Sequence, residues 1–278
     1  MTQRRVPFFI LAPGLILLIL FLVLPLVSII FPTFFDGGFT LKSYSSFFMD
    51  EYNFSIFWRT LKISLIVTFV CAVLGVPTAY YISKSSKKWR SLLMALTLFP
   101  LLTNSVVRSF AWITILGQDG IINNALLNIG LIDKPLTLLY TEFAIVIGSV
   151  YLFLPLMVIT LVGILENIDT ELMEAAETLG ANRLLAFVKV VLPLSVPGII
   201  VGSILVFTGT MTAYTTPQLL GGNRNIMLAT FLYQSATALG NWEAASVIAL
   251  IMIAATLIVM KLFNWIAKQM DKRGEASA

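Results

Sequence analysis

The 278-residue chain contains no histidine, and its only cysteine, Cys71, lies within an apolar stretch. A lone cysteine cannot form a disulfide within the chain, and the commonest metal ligand in proteins is missing. Charged residues are also scarce, at 12% of the chain, and they cluster between apolar segments. These shortages exclude a disulfide framework, a cysteine metal site and a disordered chain, and they argue against metal chemistry.

Apolar residues, by contrast, are abundant. They make up 58% of the chain, and the mean hydropathy is +0.93, whereas soluble proteins contain about 45–50% apolar residues. The sequence therefore predicts an integral membrane protein with a single membrane domain. The net charge of +4 does not indicate nucleic-acid binding, because the positive residues flank apolar segments mainly on one side of the predicted membrane.

Six apolar segments are long enough to cross a bilayer, which takes about 20 residues each. The densest positive cluster, at residues 84–90, follows the second segment and is predicted to be cytoplasmic by the positive-inside rule. We therefore expect an all-α membrane protein with six transmembrane helices and both termini in the cytoplasm. Residues 1–57 would hold the first span and an external segment, residues 58–266 the transmembrane domain, and residues 267–278 a cytoplasmic tail. The predicted spans are 8–31, 60–82, 92–116, 143–165, 194–214 and 244–266.

A polar, helix-forming segment connects the fourth and fifth spans. Asp169 is a candidate N-cap, and Gly180 suits the left-handed position that ends a helix. Asn182 is then predicted to cap a second short helix that ends at Pro193. Periodicity alone leaves open whether this segment is an amphipathic connector on the membrane surface or is presented to a soluble partner. Its predicted apolar face consists of Leu172, Ala175, Ala176 and Leu179.

This segment resembles the motif of permease subunits of binding-protein-dependent ABC importers. The matching residues are Glu174-Ala175-Ala176, then Gly180-Ala181 after three residues, and then Leu192-Pro193. The resemblance covers about residues 58–266, and it implies a cytoplasmic coupling helix that docks into a groove of an ATPase. The implied coupling residues are Glu174, Ala175, Ala176, Gly180, Ala181 and Arg183.

Three further stretches resemble the permeases of polyamine-type importers, which carry spermidine or putrescine. They are residues 103–108 in the third span, 132–135 outside, and 219–222 after the fifth span. Related importers of ferric iron, aminoethylphosphonate, thiamine or opines share much of this pattern. The resemblance therefore leaves the substrate open between these classes, with a polyamine preferred.

The resemblance also implies a set of partners in a bacterial inner membrane. The chain lacks the Gly-x-x-x-x-Gly-Lys-Ser/Thr phosphate loop, so it is expected to be non-catalytic and to bind no cofactor itself. A cytoplasmic ATPase dimer would use ATP and Mg, and an external protein would deliver the solute. Because six spans with one motif supply half of a pathway, a second permease subunit, preferably a different related chain, is expected. ATP-driven alternating access would follow.

Polar residues within the predicted spans are candidates for the translocation pathway. Hydroxyls in a membrane need a polar partner or water, although serine and threonine also bond back to their own helix. Asn104 and Arg108 lie four residues apart, which fits either an intersubunit bond or the outer end of the pathway. The fifth span contributes Thr208, Thr210, Thr212 and Tyr214.

Arg108 argues against a cationic cargo, and the span interiors contain no aspartate or glutamate. Anionic cargo therefore stays open. Glu142 and Glu243 lie at outer span ends, where they either line a vestibule or mark the membrane boundary. The stretch from Pro217 to Gly222 is expected to form a tight external turn rather than a loop that reaches the binding protein. A secondary transporter driven by an ion gradient is the alternative of a different class, but neither an intramembrane carboxylate nor an inverted repeat is visible.

Overall fold

The computed structural model describes residues 8–35, 38–169 and 171–275, and these residues fold almost entirely into helices. The predicted termini at residues 1–7 and 276–278 lie outside this range. Within the described residues, extended pairing is limited to a single bridge between Phe35 and Phe39. The α-helices are α1 Phe8–Leu18, α2 Leu24–Ile30, α3 Lys42–Met49, α4 Glu51–Lys84, α5 Lys87–Leu102, α6 Ser105–Leu116, α7 Ile121–Asn128, α8 Glu142–Leu165, α9 Glu171–Thr178, α10 Arg183–Ala186, α11 Leu192–Thr212, α12 Thr215–Gly221, α13 Leu228–Tyr233 and α14 Trp242–Glu275.

The described residues contain five helical segments that are long and apolar enough to cross a membrane, and a sixth if one bent pair counts as a broken span. This confirms the predicted all-helical membrane fold. The five segments are Ala12–Phe34, Glu51–Lys84, Glu142–Leu165, Arg183–Thr212 and Trp242–Gln269, and the bent pair is Lys87–Leu102 with Ser105–Asn128.

The third predicted span, drawn as one crossing over residues 92–116, is wrong in its shape. The chain breaks between α5 and α6, and the helices on either side meet at 94°. Thr103 adopts an extended backbone, and the side chain of Asn104 accepts hydrogen bonds from the amides of Val106 and Val107. Asn104 is therefore the N-cap that starts a new helix.

The fifth span begins earlier than predicted. The expected stop at Pro193 is wrong, because α10 continues through a π turn, Phe187–Val191, into α11. Pro193 lies at the start of α11. The wider π turn accommodates a proline that would clash with the preceding turn of a regular helix. The segment Arg183–Thr212 is thus one continuous apolar rod of 30 residues.

The described residues form two compact units, one within residues 1–54 and 231–251 and the other within 55–230 and 252–278. The predicted domain limits at residues 57 and 266 stay predictions.

Within the second unit, α11 packs closely on α8 through its glycines. A Cβ at Gly202 would lie 2.5 Å from Sδ of Met157 and 2.7 Å from Oγ1 of Thr160. A Cβ at Gly198 would lie 2.9 Å from Cδ1 of Ile164. Small residues let two membrane helices approach until their backbones nearly touch, so this seam anchors the fifth span to the fourth.

The stretch after the fifth span is a packed helix, and the predicted tight turn at Pro217–Gly222 is wrong. Pro217 and Leu220 are buried in α12. Leu220 lies against α8, where a Cβ at Gly148 would come within 2.5 Å of it, and its carbonyl accepts a 2.9 Å hydrogen bond from the amide of Tyr140. Turn-forming residues therefore end this helix at Gly222, whose φ is +61°, rather than forming the whole connection.

Candidate functional site

The short helix α9 begins where the sequence predicts. The carboxylate of Asp169 accepts a 3.1 Å hydrogen bond from the amide of Glu171. Glu171 and Glu174 occupy the first turn, where their charge opposes the positive end of the helix dipole. Local capping thus starts a helix of eight residues, which is too short to be stable without such support or tertiary packing.

Gly180 ends this helix in the predicted left-handed conformation, with φ at +92°. Its amide bonds to the carbonyl of Glu177 at 3.0 Å, and the amide of Ala181 bonds to the carbonyl of Ala176 at 3.1 Å. A Cβ built on Gly180 would meet no atom within 4 Å. The glycine is therefore required by backbone geometry and not by crowding within the chain.

The faces of α9 divide between the protein and its surroundings. Met173 packs on the core of the second unit together with Phe187. Leu172, Ala175 and Leu179, which follow one another at helical spacing, are exposed, and Leu179 is 89% exposed. We call these three residues the apolar stripe. The predicted apolar face therefore has the expected residues. It faces away from the core of the chain, except that Ala176 is partly buried.

The helix α10 follows at once and extends this surface. Asn182 caps it as predicted, accepting a 2.8 Å hydrogen bond from the amide of Leu185. Leu184 is 73% exposed. Arg183 lies 3.6 Å from the carboxylate of Glu177 across the Gly180 turn, but its side chain is 91% exposed, so this pair adds little stability. The exposed cation and the apolar stripe are available to a partner.

All six predicted coupling residues lie in this helix, turn and helix, which we call the α9–α10 segment, residues 171–186. Their backbone is ordered by caps, and most of their side chains are exposed. Their role in coupling stays a prediction. The residues are Glu174, Ala175, Ala176, Gly180, Ala181 and Arg183.

Three contacts next to this site are not visible in the sequence. Arg90 joins the carboxylate of Glu166, at the end of α8, with a distance of 3.1 Å, and it donates to the carbonyl of Ser83 at 2.8 Å. Lys84 donates to the carbonyl of Ile168 at 3.3 Å. The positive cluster therefore ties the end of α4 and the start of α5 to the chain that enters α9, in addition to indicating topology.

Two of the proposed pathway hydroxyls bond back to their own helix. Thr210 is fully buried and donates to the carbonyl of Val206 at 2.8 Å, and Thr212 donates to the carbonyl of Thr208 at 2.9 Å. Thr208 and Tyr214 are partly buried, and Tyr214 lies beyond the end of α11. The structure does not bring the four side chains to one surface, and their pathway role stays a prediction.

Arg108 folds back onto the broken third span. It is 8% exposed, and its Nη1 donates to the carbonyls of Pro100 at 2.8 Å and Thr103 at 3.3 Å. These carbonyls lie where the break interrupts the helical ladder, and buried carbonyls need a donor. Arg108 and the capping residue Asn104 therefore hold the break together within the chain, and their pathway role likewise stays a prediction.

Glu142, at the start of α8, is enclosed by positive charge. It pairs with Nε of Arg59 at 3.4 Å and with the ammonium of Lys62. Arg59 also donates to the carbonyl of Ile226 at 3.2 Å. This carboxylate ties α4 to α8 and is already neutralised.

Comparison with known proteins decides what kind of membrane protein this is. A family model described as a binding-protein-dependent transport system inner membrane component matches residues 72–273. The chain belongs to this family. The match runs from α4 into α14 and includes the whole α9–α10 segment. The protein is therefore a multi-pass permease subunit of the inner membrane, as the resemblance implied.

Curated relatives agree with this assignment over most of the chain. The spermidine/putrescine transport system permease protein PotB of Haemophilus influenzae is 33% identical over 242 residues, which cover 87% of this chain and 84% of the relative. PotB of Escherichia coli is 34% identical over 253 residues, which cover 87% of this chain and 92% of the relative. Both relatives are matched over nearly their full length.

A solved structure shows the same fold at low identity. The bacterial alginate ABC transporter in complex with an alginate pentasaccharide-bound periplasmic protein contains a chain that aligns with a TM-score of 0.78 at 18% identity. The alignment covers 95% of the permease and 94% of that chain. The fold of the permease is thus that of an ABC importer subunit.

Proposed function

We propose that the permease forms half of a translocation pathway and couples ATP hydrolysis by separate ATPase subunits to solute uptake through its α9–α10 segment. The apolar stripe carries this proposal. The apolar stripe exposes Leu172 and Ala175 on the capped eight-residue helix and Leu179 just after its end. Leu179 is 89% exposed, so it contributes little to packing within the chain. Contiguous exposed apolar surface of this kind marks an interaction site.

The segment is also connected so that force reaches the spans. On one side, α10 runs without interruption into the fifth span. On the other side, Glu166 and Ile168, just before α9, are bonded to Arg90 and Lys84. A push on the apolar stripe would therefore reach the fifth span directly and the second and third spans through these contacts, so the spans would move together as a rigid body, which is the kind of movement that alternating access needs.

The proposal requires partners that supply what this chain lacks. A cytoplasmic ATPase dimer would bind ATP and Mg and present the groove that receives the apolar stripe. A second, related permease would complete the pathway, and an external solute-binding protein would deliver the cargo. In this arrangement the permease is a non-catalytic subunit that binds no cofactor itself.

We further propose that the cargo is a polyamine, spermidine or putrescine, as in the names of the PotB relatives. Arg108 was the main objection from the sequence, since a fixed cation repels a cationic cargo. In the structure its guanidinium is buried against two carbonyls of its own broken span, so its hydrogen-bond donors are engaged within the chain. This weakens the objection.

The cognate solute-binding protein gives the most direct test of the cargo. We expect titration calorimetry to show binding of spermidine or putrescine, and no binding of ferric iron, aminoethylphosphonate, thiamine or an opine. Failure of both polyamines to bind would contradict the polyamine assignment. Binding of one of the other solutes would replace it, while the proposed coupling role of the α9–α10 segment would stand.

A further inference from the structure

The first unit contains a cleft of about 420 Å³, which we call the outer cleft. It lies between the end of α3, the start of α4, α13 and the start of α14. Asp50 precedes the second span, and Glu243 begins the last span, so both are predicted to lie on the outer side of the membrane. The lining residues that matter here are Phe47, Asp50, Asn53, Phe231, Asn241 and Glu243.

The outer cleft carries negative charge that the chain does not neutralise. One carboxylate oxygen of Asp50 accepts from the amide of Asn53 at 2.8 Å, and one of Glu243 accepts from the hydroxyl of Ser43 at 3.2 Å. In the part of the chain that the structure describes, neither carboxylate forms an ion pair, and the lining contains no lysine or arginine. Glu142, by contrast, forms ion pairs with Arg59 and Lys62.

Aromatic and amide groups complete this environment. Phe231 and Phe47 both line the outer cleft, and the ring of Phe231 packs edge-on against Tyr52 with the ring centroids 6.0 Å apart. Carboxylates and aromatic faces both attract ammonium groups. The side-chain oxygen of Asn53 adds a neutral acceptor, whereas that of Asn241 already accepts from the amide of Ala244 at 2.9 Å. The volume falls in the range of roughly 300–1,000 Å³ that is usual for small-ligand sites.

We propose that the outer cleft binds a linear polyammonium ion, with one ammonium at Asp50, another at Glu243 and the alkyl chain along the phenylalanines. This rests on the proposed polyamine cargo, and it places on this subunit an external site of its own, outside any binding protein. The lysines and arginines of the chain lie mainly on the predicted cytoplasmic side, so they do not oppose a cation at the outer cleft, and the two unpaired carboxylates attract it.

The test uses the assembled complex of permeases and ATPase in nanodiscs, without binding protein, titrated with spermidine by calorimetry. Both lining carboxylates are replaced by their amides, D50N with E243Q, which keep the acceptor oxygens used by Asn53 and Ser43. We expect spermidine affinity to fall about fivefold, because each partly exposed ion pair contributes about 0.5 kcal/mol. Putrescine, which also carries two ammonium groups, should lose affinity in D50N with E243Q as well.

A matched control changes the same charge elsewhere on the predicted outer side. Glu51 and Asp119 are exposed and do not line the outer cleft, so E51Q with D119N should leave spermidine affinity unchanged. The conservative exchange D50E with E243D keeps both charges and should retain most of the affinity. Retained spermidine affinity in D50E with E243D would show that the loss of affinity in D50N with E243Q comes from the missing charge and not from a disturbed fold.

Three outcomes would overturn the proposal. The first is no spermidine binding by the unaltered complex. The second is equal affinity in D50N with E243Q and in the control. The third is unchanged spermidine affinity in D50N with E243Q together with weaker docking when the binding protein is added afterwards, which would assign the outer cleft to a basic side chain of that protein. The polyamine cargo is judged separately, by the calorimetry of the binding protein, so the outer cleft can fail while the cargo stands.

Discussion

Two glycines allow the docking role of the α9–α10 segment to be separated from its stability. Gly180 ends α9 and Gly130 follows α7, and each of these helices has eight residues. Their φ angles are +92° and +72°, and a Cβ on either would meet no atom within 4 Å. The next amide bonds five residues back in both cases, from Ala181 at 3.1 Å and from Leu131 at 3.0 Å.

The perturbation is a leucine at either glycine. A side chain in the left-handed region costs about 1–2 kcal/mol, and this cost should be similar at the two sites because both have positive φ and the same hydrogen bond five residues back. It is small beside the roughly 5–15 kcal/mol that hold a typical protein together. Both variants should therefore fold and insert. Only Gly180→Leu adds bulk next to the apolar stripe.

The assay is recovery of the ATPase with the affinity-purified permease, together with ATP-driven uptake. Gly180→Leu should lose most of both, whereas Gly130→Leu should keep its ATPase. Similar recovery of the ATPase in the two variants, whether both keep it or both lose it, would refute the reasoning, since the effect would then not depend on the surface of the α9–α10 segment.

Other predictions test the stripe, the glycine seam and the ion pair of Arg90. Leu179→Glu should abolish binding of the ATPase without changing thermal stability, because the Leu179 side chain makes almost no contact within the chain. The control Leu131→Glu, at an exposed position on the predicted outer side, should keep the ATPase bound. Gly202→Ala should lower stability by about 1–3 kcal/mol through overpacking, measured by thermal unfolding in detergent, whereas Gly163→Ala, which faces open space, should be neutral or slightly stabilising. Arg90→Ala should cost about 1 kcal/mol in the same assay, since its pair is about one-third exposed.

The caps of the α9–α10 segment were predictable because they follow from local chemistry. Asp169, Gly180 and Asn182 each act on backbone groups within a few residues, and a short sequence window contains all the necessary information. The direction in which the apolar stripe points was not predictable. Periodicity shows which residues share a face, but only tertiary packing, here Met173 against the core, decides which face turns inwards.

The sequence predictions fail where a local sequence signal is overridden by a contact with a distant residue or by an unusual helical turn. Hydropathy gives a straight third span, yet Asn104 caps a new helix and Arg108 satisfies the carbonyls at the break. The proline at residue 193 predicts that the helix ends there, yet the π turn just before it lets the helix continue. The bond from Arg90 to Glu166 joins residues on different helices, and neither spacing nor composition points to it.

The central claim is that this permease couples ATP hydrolysis to uptake, and reconstitution tests it most directly. The permease pair and ATPase would be placed in liposomes with ATP inside, and the binding protein and radiolabelled spermidine outside. We predict accumulation of spermidine that requires ATP, is abolished by Gly180→Leu and is unaffected by ionophores. Accumulation that proceeds without ATP and collapses when an ionophore dissipates the ion gradient would contradict the account and favour an ion-coupled transporter.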